Sequence, residues 1–249
     1  MDRFLIYFTY EWFRDIWLPA AGAILIPVAI AFFTWWFGAS RAEKQKEQQE
    51  LQKNLDFLVS VCLASINGLK FLHGKLHVVE KKEFEAVKTI TNKGNVDSDE
   101  VCYGFLFDDV FKTINVEKYA SCISYNPNFI VDMVRVKSLL RSTEYYVNQR
   151  NDIIKSISEC ENMTIKLQRL LSFIPNDHEQ IESFIADVCR ITILIRNLIG
   201  DVVKLNQEIS DLKLTPQLFT DEQMIFIKKA ENEYTEYTKQ HKEQNNSEE

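Results

Sequence analysis

The sequence predicts an all-α protein: one N-terminal transmembrane helix, then an elongated cytoplasmic helical bundle with long antiparallel helices and a juxtamembrane coiled coil. Three observations carry that expectation. Residues 16–40 contain no charged side chain, a length that spans a bilayer core as a helix. Seven glycines and five prolines in 249 residues leave long stretches without a breaker. Apolar residues downstream recur every three or four positions, and no alternating strand pattern of any length is present.

Residues 1–15 are too polar to span but rich in aromatic side chains. On a helix Leu5, Phe8, Trp12 and Ile16 share one face and Arg3, Tyr7, Tyr10 and Arg14 the other, the pattern of a segment lying in the headgroup region. Residues 16–40 are the span. Trp17 and the pair Trp35/Trp36 sit near its ends, where amphipathic rings favour the membrane–water boundary. Pro19 suits the first helical turn. Gly22 and the alanines around it make one half slender, which lets helices approach closely in lipid. Pro27 removes a backbone hydrogen bond near the middle and predicts a kink. Asp2, Glu11 and Asp15 before the apolar stretch are unlike a signal peptide's basic start, so the segment reads as a retained anchor. Arg41, Lys44, Lys46 and Lys53 outnumber Arg3 and Arg14 across the span. The expected topology is single-pass, in the inner or plasma membrane, with the N-terminus outside and the C-terminal part cytoplasmic.

Residues 41–75 form the expected juxtamembrane helix. Leu51, Leu55, Leu58, Cys62, Ser65, Leu69 and Leu72 follow heptad spacing, which predicts an oligomer seam through Leu51, Leu55, Leu58, Cys62, Leu69 and Leu72. The same stripe also serves as one side of an intramolecular bundle, and Phe57, Val61, Leu63 and Ile66 widen it beyond a strict seam. Residues 76–237 form the cytoplasmic bundle. There, residues 78–90 end in a turn at residues 92–95, and Asp97 with Glu100 forms a capping box opening a helix through Phe105 and Phe111. Asn115 caps a short helix to Ile123, and Asn126-Pro127-Asn128 is a turn.

From Phe129 to about Phe173 the pattern is helical without Gly or Pro. Ile174-Pro175-Asn176 then ends that helix, and Asp177 with Gln180 caps the next. Its residues Ile181, Ile185, Val188, Ile191, Ile195, Leu198, Val202 and Leu205 mark a central core helix, since Asp187, Arg190 and Arg196 interrupt it as a span. Thr220 with Gln223 predicts a capping box for the last helix. Residues 238–249 read as a disordered polar tail.

The chain carries a net charge of −7, which offers no basic footprint for nucleic acid. Five widely spaced cysteines form neither a disulfide framework nor a Cys-x-x-Cys pair. His73, His77 and Glu80 share a helix face at a spacing able to hold zinc, but no fourth ligand or catalytic partner stands nearby in the sequence. No nucleophile, phosphate-loop or dinucleotide motif is present. The expectation is therefore not an enzyme, with no cofactor. Two functions fit the lipid bilayer and a protein partner or homo-oligomer as partners. One is a membrane-tethered binding or scaffolding module. The alternative is an oligomeric membrane-perturbing effector, as in anti-phage defence, supported by the aromatic leader and Pro27.

Overall fold

The computed structural model describes residues 18–93, 104–107, 110–210 and 218–247. Among these it is all-helical, without a strand. The elements are α1 (Leu18–Lys93), two 3-10 segments (Val110–Thr113 and Val116–Ser124), α2 (Pro127–Ser158), α3 (Met163–Ser210) and α4 (Asp221–Ser247). The chain divides into two units, residues 1–52 and 53–249.

In the first unit, α1 carries the apolar stretch, and it is the helix near the N-terminus long and apolar enough to cross a membrane. Its outward side chains include Ile26, Val28, Ile30, Phe32, Phe33, Trp35, Trp36 and Phe37, all exposed. By length and composition that exposed apolar stretch makes α1 a candidate membrane-spanning helix. Pro27 lies inside the helix and Pro19 in its first turn. The leader 1–15, with Trp12, and Trp17 lie outside the described residues.

The second unit is built around α3. Ile181, Val188, Cys189, Ile191, Ile195, Ile199 and Val202 are all buried, more than one face of a helix can supply, so α3 is covered from several sides. Contacts along the chain give the directions. On α2 and α3, Arg150 meets Asp177 while Tyr146 stacks on Phe184: as one helix advances the other retreats. On α1 and α3, Phe84 stacks on His178 and Asp56 accepts from Asn206, again in opposite senses. On α1 and α4, Asn67 meets Gln223 and His73 meets Glu233, in the same sense. The central role expected for 181–205 is what the burial shows.

Leu55, Leu58, Cys62 and Leu69 are fully buried and Leu72 nearly so, within the single chain. The face read as an oligomer seam is thus filled from inside the chain, and these side chains are covered before a second copy arrives. Leu51, in the first unit, is half-buried. The heptad spacing alone could not separate the two uses, because both need the same apolar stripe.

Several local expectations change. Residues 104–107 are not helical; Phe105 is held instead by Asn151, whose Nδ2 donates to Phe105 O (2.7 Å) and whose Oδ1 accepts from Phe105 N (2.8 Å). Gly104 belongs to that clamp, since an added Cβ would lie 3.2 Å from Asn151 Oδ1. The stretch 129–173 is not one helix. It breaks after Ser158, and Asn162 opens α3 by accepting from Thr164 N and Ile165 N at 3.0 and 3.2 Å, an N-cap that needs neither Gly nor Pro. Conversely Pro175 does not end a helix. α3 runs through it, and Asn176 Nδ2 donates to Ser172 O at 3.1 Å beside the missing N–H. Burial of Ile174 and the ion pair of Asp177 offset the lost backbone bond. The tail expected to be disordered is helical to Ser247.

Two other local signals read as expected. Asn115 Oδ1 accepts from Glu117 N at the head of a 3-10 segment; the stretch Asn126-Pro127-Asn128, expected as a turn, instead opens α2, with Asn126 as its cap and Pro127 in the first turn. Thr220 and Gln223 make the reciprocal capping box: Thr220 N donates to Gln223 Oε1 (3.0 Å) and Gln223 N to Thr220 Oγ1 (3.2 Å).

Candidate functional site

Three polar features stand out in the second unit. The first is a buried ion cluster. Arg150, on α2, donates through Nε to Asp177 Oδ2 (2.7 Å) on α3 and through Nη2 to Glu83 Oε1 (3.2 Å) on α1. Tyr146 OH donates to Asp177 Oδ1 at 2.9 Å. The Arg150 guanidinium also sits 4.5 Å from the Phe105 ring centre. One cation between two carboxyls cannot neutralise both. Burial first, and the neighbouring Asp177 next, push the Glu83 carboxyl up to about 9, against the pull of Arg150. Glu83 is therefore the partner of Arg150 that holds a proton at neutral pH. The cluster ties three helices together, and a cavity of about 210 Å³ lined by Tyr146, Arg150, Phe173 and Asp177 adjoins it.

The second is a groove of about 800 Å³ between α2 and α3. Val134, Tyr145 and Phe184 give it apolar and aromatic walls, and Arg141 and Lys137 also line it, the Lys137 Nζ donating to Ile114 O at 2.8 Å. Among the described residues no carboxylate lines it, in a chain whose charge is −7. Tyr145 and Val134 are 70% and 53% exposed, so the apolar wall is open to solvent.

The third contains the histidines. His73 and His77 lie one turn apart on α1, with ring centres 4.5 Å apart. His73 is buried and His77 half-buried. His73 Nε2 lies 2.6 Å from Glu233 Oε2, and His77 Nε2 lies 3.4 Å from the same oxygen. Glu80 does not join them there: its Oε2 lies 3.0 Å from His77 Nδ1, on the far side of the ring. Cys189 Sγ donates weakly to Glu233 Oε2 at 3.6 Å, and Lys229 Nζ approaches Glu233 Oε1 at 3.5 Å. Burial lowers the His73 pKa, with Glu233 opposing the shift. Burial also acts to raise the Glu233 carboxyl, yet the His73 hydrogen bond and the charges of His73, His77 and Lys229 leave it below the usual range. Burial pushes the Cys189 thiol up to about 12, so it remains a thiol.

No family model matches this chain, and neither does any curated protein or solved structure.

The structure keeps two of the three residues singled out by spacing, His73 and His77, on one convergent site and replaces the third. Glu233, more than 150 positions away, is the carboxylate that both imidazoles face. No local pattern announced it, since Glu233 is one of many acidic residues on a polar helix. Arg150 and Asp177 were equally silent: Asp177 resembles a helix cap after Pro175, and Arg150 one charge on an amphipathic helix. The anchor residues Pro19, Gly22 and Pro27 lie in α1, and Trp35 and Trp36 are exposed on it; Trp36 packs on Phe32 with ring centres 6.1 Å apart.

Proposed function

We propose that this chain is a membrane-anchored binding module. Its helical domain docks an acidic segment of a partner protein, one bearing apolar side chains, in the groove between α2 and α3. The observation that carries the reading is the groove itself: Arg141 and Lys137 set among Val134, Tyr145 and Phe184, with no carboxylate among the described residues that line it, on an acidic chain. An amphipathic helix with acidic flanks complements both its apolar wall and its charge. Aromatic walls such as Tyr145 supply contact area at small entropic cost. The apolar stretch of α1 supports a single span, with the helical domain in the cytoplasm beneath the inner or plasma membrane and the N-terminus outside. Tethering then raises the local concentration of the docking surface for partners at the same membrane.

Reconstitution of the full chain in dye-loaded liposomes tests this, with a fluorescently labelled acidic amphipathic peptide as probe. Saturable, salt-sensitive binding that Arg141→Glu abolishes, with vesicles staying sealed, supports the module. Absence of binding together with dye release that Pro27→Ala alters overturns it in favour of the membrane-perturbing effector.

A further inference from the structure

We propose that His73, His77 and Glu233 form a zinc-class divalent metal site joining α1 to α4, with Glu80 orienting His77. Their ligand atoms lie within 4.8 Å of one another. The argument starts at His77. Its Nδ1 faces Glu80 Oε2 at 3.0 Å, and a carboxylate only accepts, so that nitrogen carries the proton. Its other nitrogen, Nε2, is then the one turned toward α4, where it faces Glu233 Oε2 at 3.4 Å, and His73 Nε2 faces the same oxygen at 2.6 Å. Two imidazole nitrogens thus converge on one carboxylate oxygen.

Metal geometry fits the gap. Tetrahedral zinc with bonds of about 2.1 Å holds nitrogen and oxygen ligands roughly 3.4 Å apart. The His77–Glu233 separation is already that value. His73 is closer, at 2.6 Å, and would open by about 0.8 Å, its nitrogen exchanging a hydrogen bond to Glu233 for a bond to the metal. Two imidazoles and one carboxylate are also the ligand set of zinc sites that keep a fourth position open. A groove of about 200 Å³, lined by His77, Glu80, Glu182, Glu233, Glu236 and Tyr237, gives that position access to solvent. Glu80 completes the arrangement, because a carboxylate on the distal nitrogen fixes the tautomer and ring orientation of a metal-binding histidine. Charge agrees: Glu80, Glu182, Glu233 and Glu236 line the groove, and Lys229 is the lysine paired with Glu233. Cys189 Sγ lies beside the site, 3.6 Å from Glu233 Oε2.

The test uses the tag-free full chain in mild detergent, stripped with chelator, given zinc chloride and dialysed against metal-free buffer. Metal content is then measured per chain, and cobalt(II) binding is followed by its visible absorption. The expected result is one zinc per chain, tetrahedral-type cobalt bands, and loss of both in His77→Gln and in Glu233→Gln. Glu80→Gln should bind about 10- to 100-fold more weakly, as an orienting carboxylate does. Wild-type protein that is helical by circular dichroism yet retains no zinc overturns the proposal, as does equal retention by His77→Gln. His77 is half-buried and its variant should fold, so it decides the matter even if Glu233→Gln does not fold.

Discussion

Replacing Glu83 by Gln removes a titrating proton from the Arg150 cluster while keeping a side chain of the same shape, able to accept from Arg150. The consequence follows from where the proton sits. Folded, Glu83 titrates at about 9; in the unfolded chain it returns to the ordinary carboxyl value of 4.5. Between those values the folded state holds one proton more than the unfolded state, so stability falls as pH rises, at about 1.4 kcal/mol per unit. From pH 7 to pH 9 the slope tapers as the folded pKa is approached, and the total loss is about 2 kcal/mol. His73, whose pKa is lowered from 6.5, acts in the opposite sense and below pH 6.5, outside this window. The burial-raised thiols of Cys62, Cys122 and Cys189 add to the loss only near pH 9, where they ionise in the unfolded chain, and they do so equally in both proteins, so the difference between wild type and Glu83→Gln isolates Glu83.

Urea denaturation of the full chain in mild detergent, followed by circular dichroism at pH 7, 8 and 9, reads the effect. The wild type should lose stability steadily across the range. Glu83→Gln should lie within about 1 kcal/mol of it at pH 7, as a neutral-for-neutral replacement, and should lack the slope assigned to Glu83. Equal slopes in the two proteins would refute the claim that Glu83 is the protonated partner of the cluster. Arg150→Met supplies the contrast: it leaves Asp177 as a buried carboxylate without its cation, and should cost about 3–5 kcal/mol.

Three further outcomes are expected. Leu58→Ala, at a fully buried position, should cost about 3–5 kcal/mol, and the loss should not depend on protein concentration; a concentration-dependent midpoint would return this stripe to an interface between copies. Thr220→Ala removes one half of the capping box and should cost about 1 kcal/mol in the same denaturation assay, with Gln223→Ala non-additive to it in a double-mutant cycle. In a Cys102→Ser background, mass spectrometry after brief alkylation should find Cys160 modified, because it is the half-buried one, while the buried Cys62, Cys122 and Cys189 react only on unfolding.

How much of this was legible beforehand depends on the range of the interaction. The capping residues Asn115 and Thr220 bond to backbone groups two or three positions away, so spacing alone identifies them. The apolar stretch of α1 is a property of contiguous residues and is equally plain. Where a local signal competed with packing, packing prevailed. Pro175 lies inside α3 because its neighbours Ile174 and Asp177 are buried on partners elsewhere, and residues 104–107 stay irregular because Asn151 clamps Phe105. The break at Asn162 was not read from the sequence, because no Gly or Pro stands around it and its cap shows only in the structure.

The sequence by itself determined the helical class, the apolar N-terminal helix and the two histidines on one helix face, because each depends on residues close in the chain. The tertiary structure alone decided what those features meet. It covered the Leu55–Leu72 stripe from within the chain, brought Glu83, Arg150 and Asp177 from three helices into one ion cluster, and set Glu233 against His73 and His77. The physical reason is common to all three. A charge or an apolar face records in the sequence that it requires a partner, but which partner satisfies it depends on how the helices pack, and that packing is a property of the whole chain.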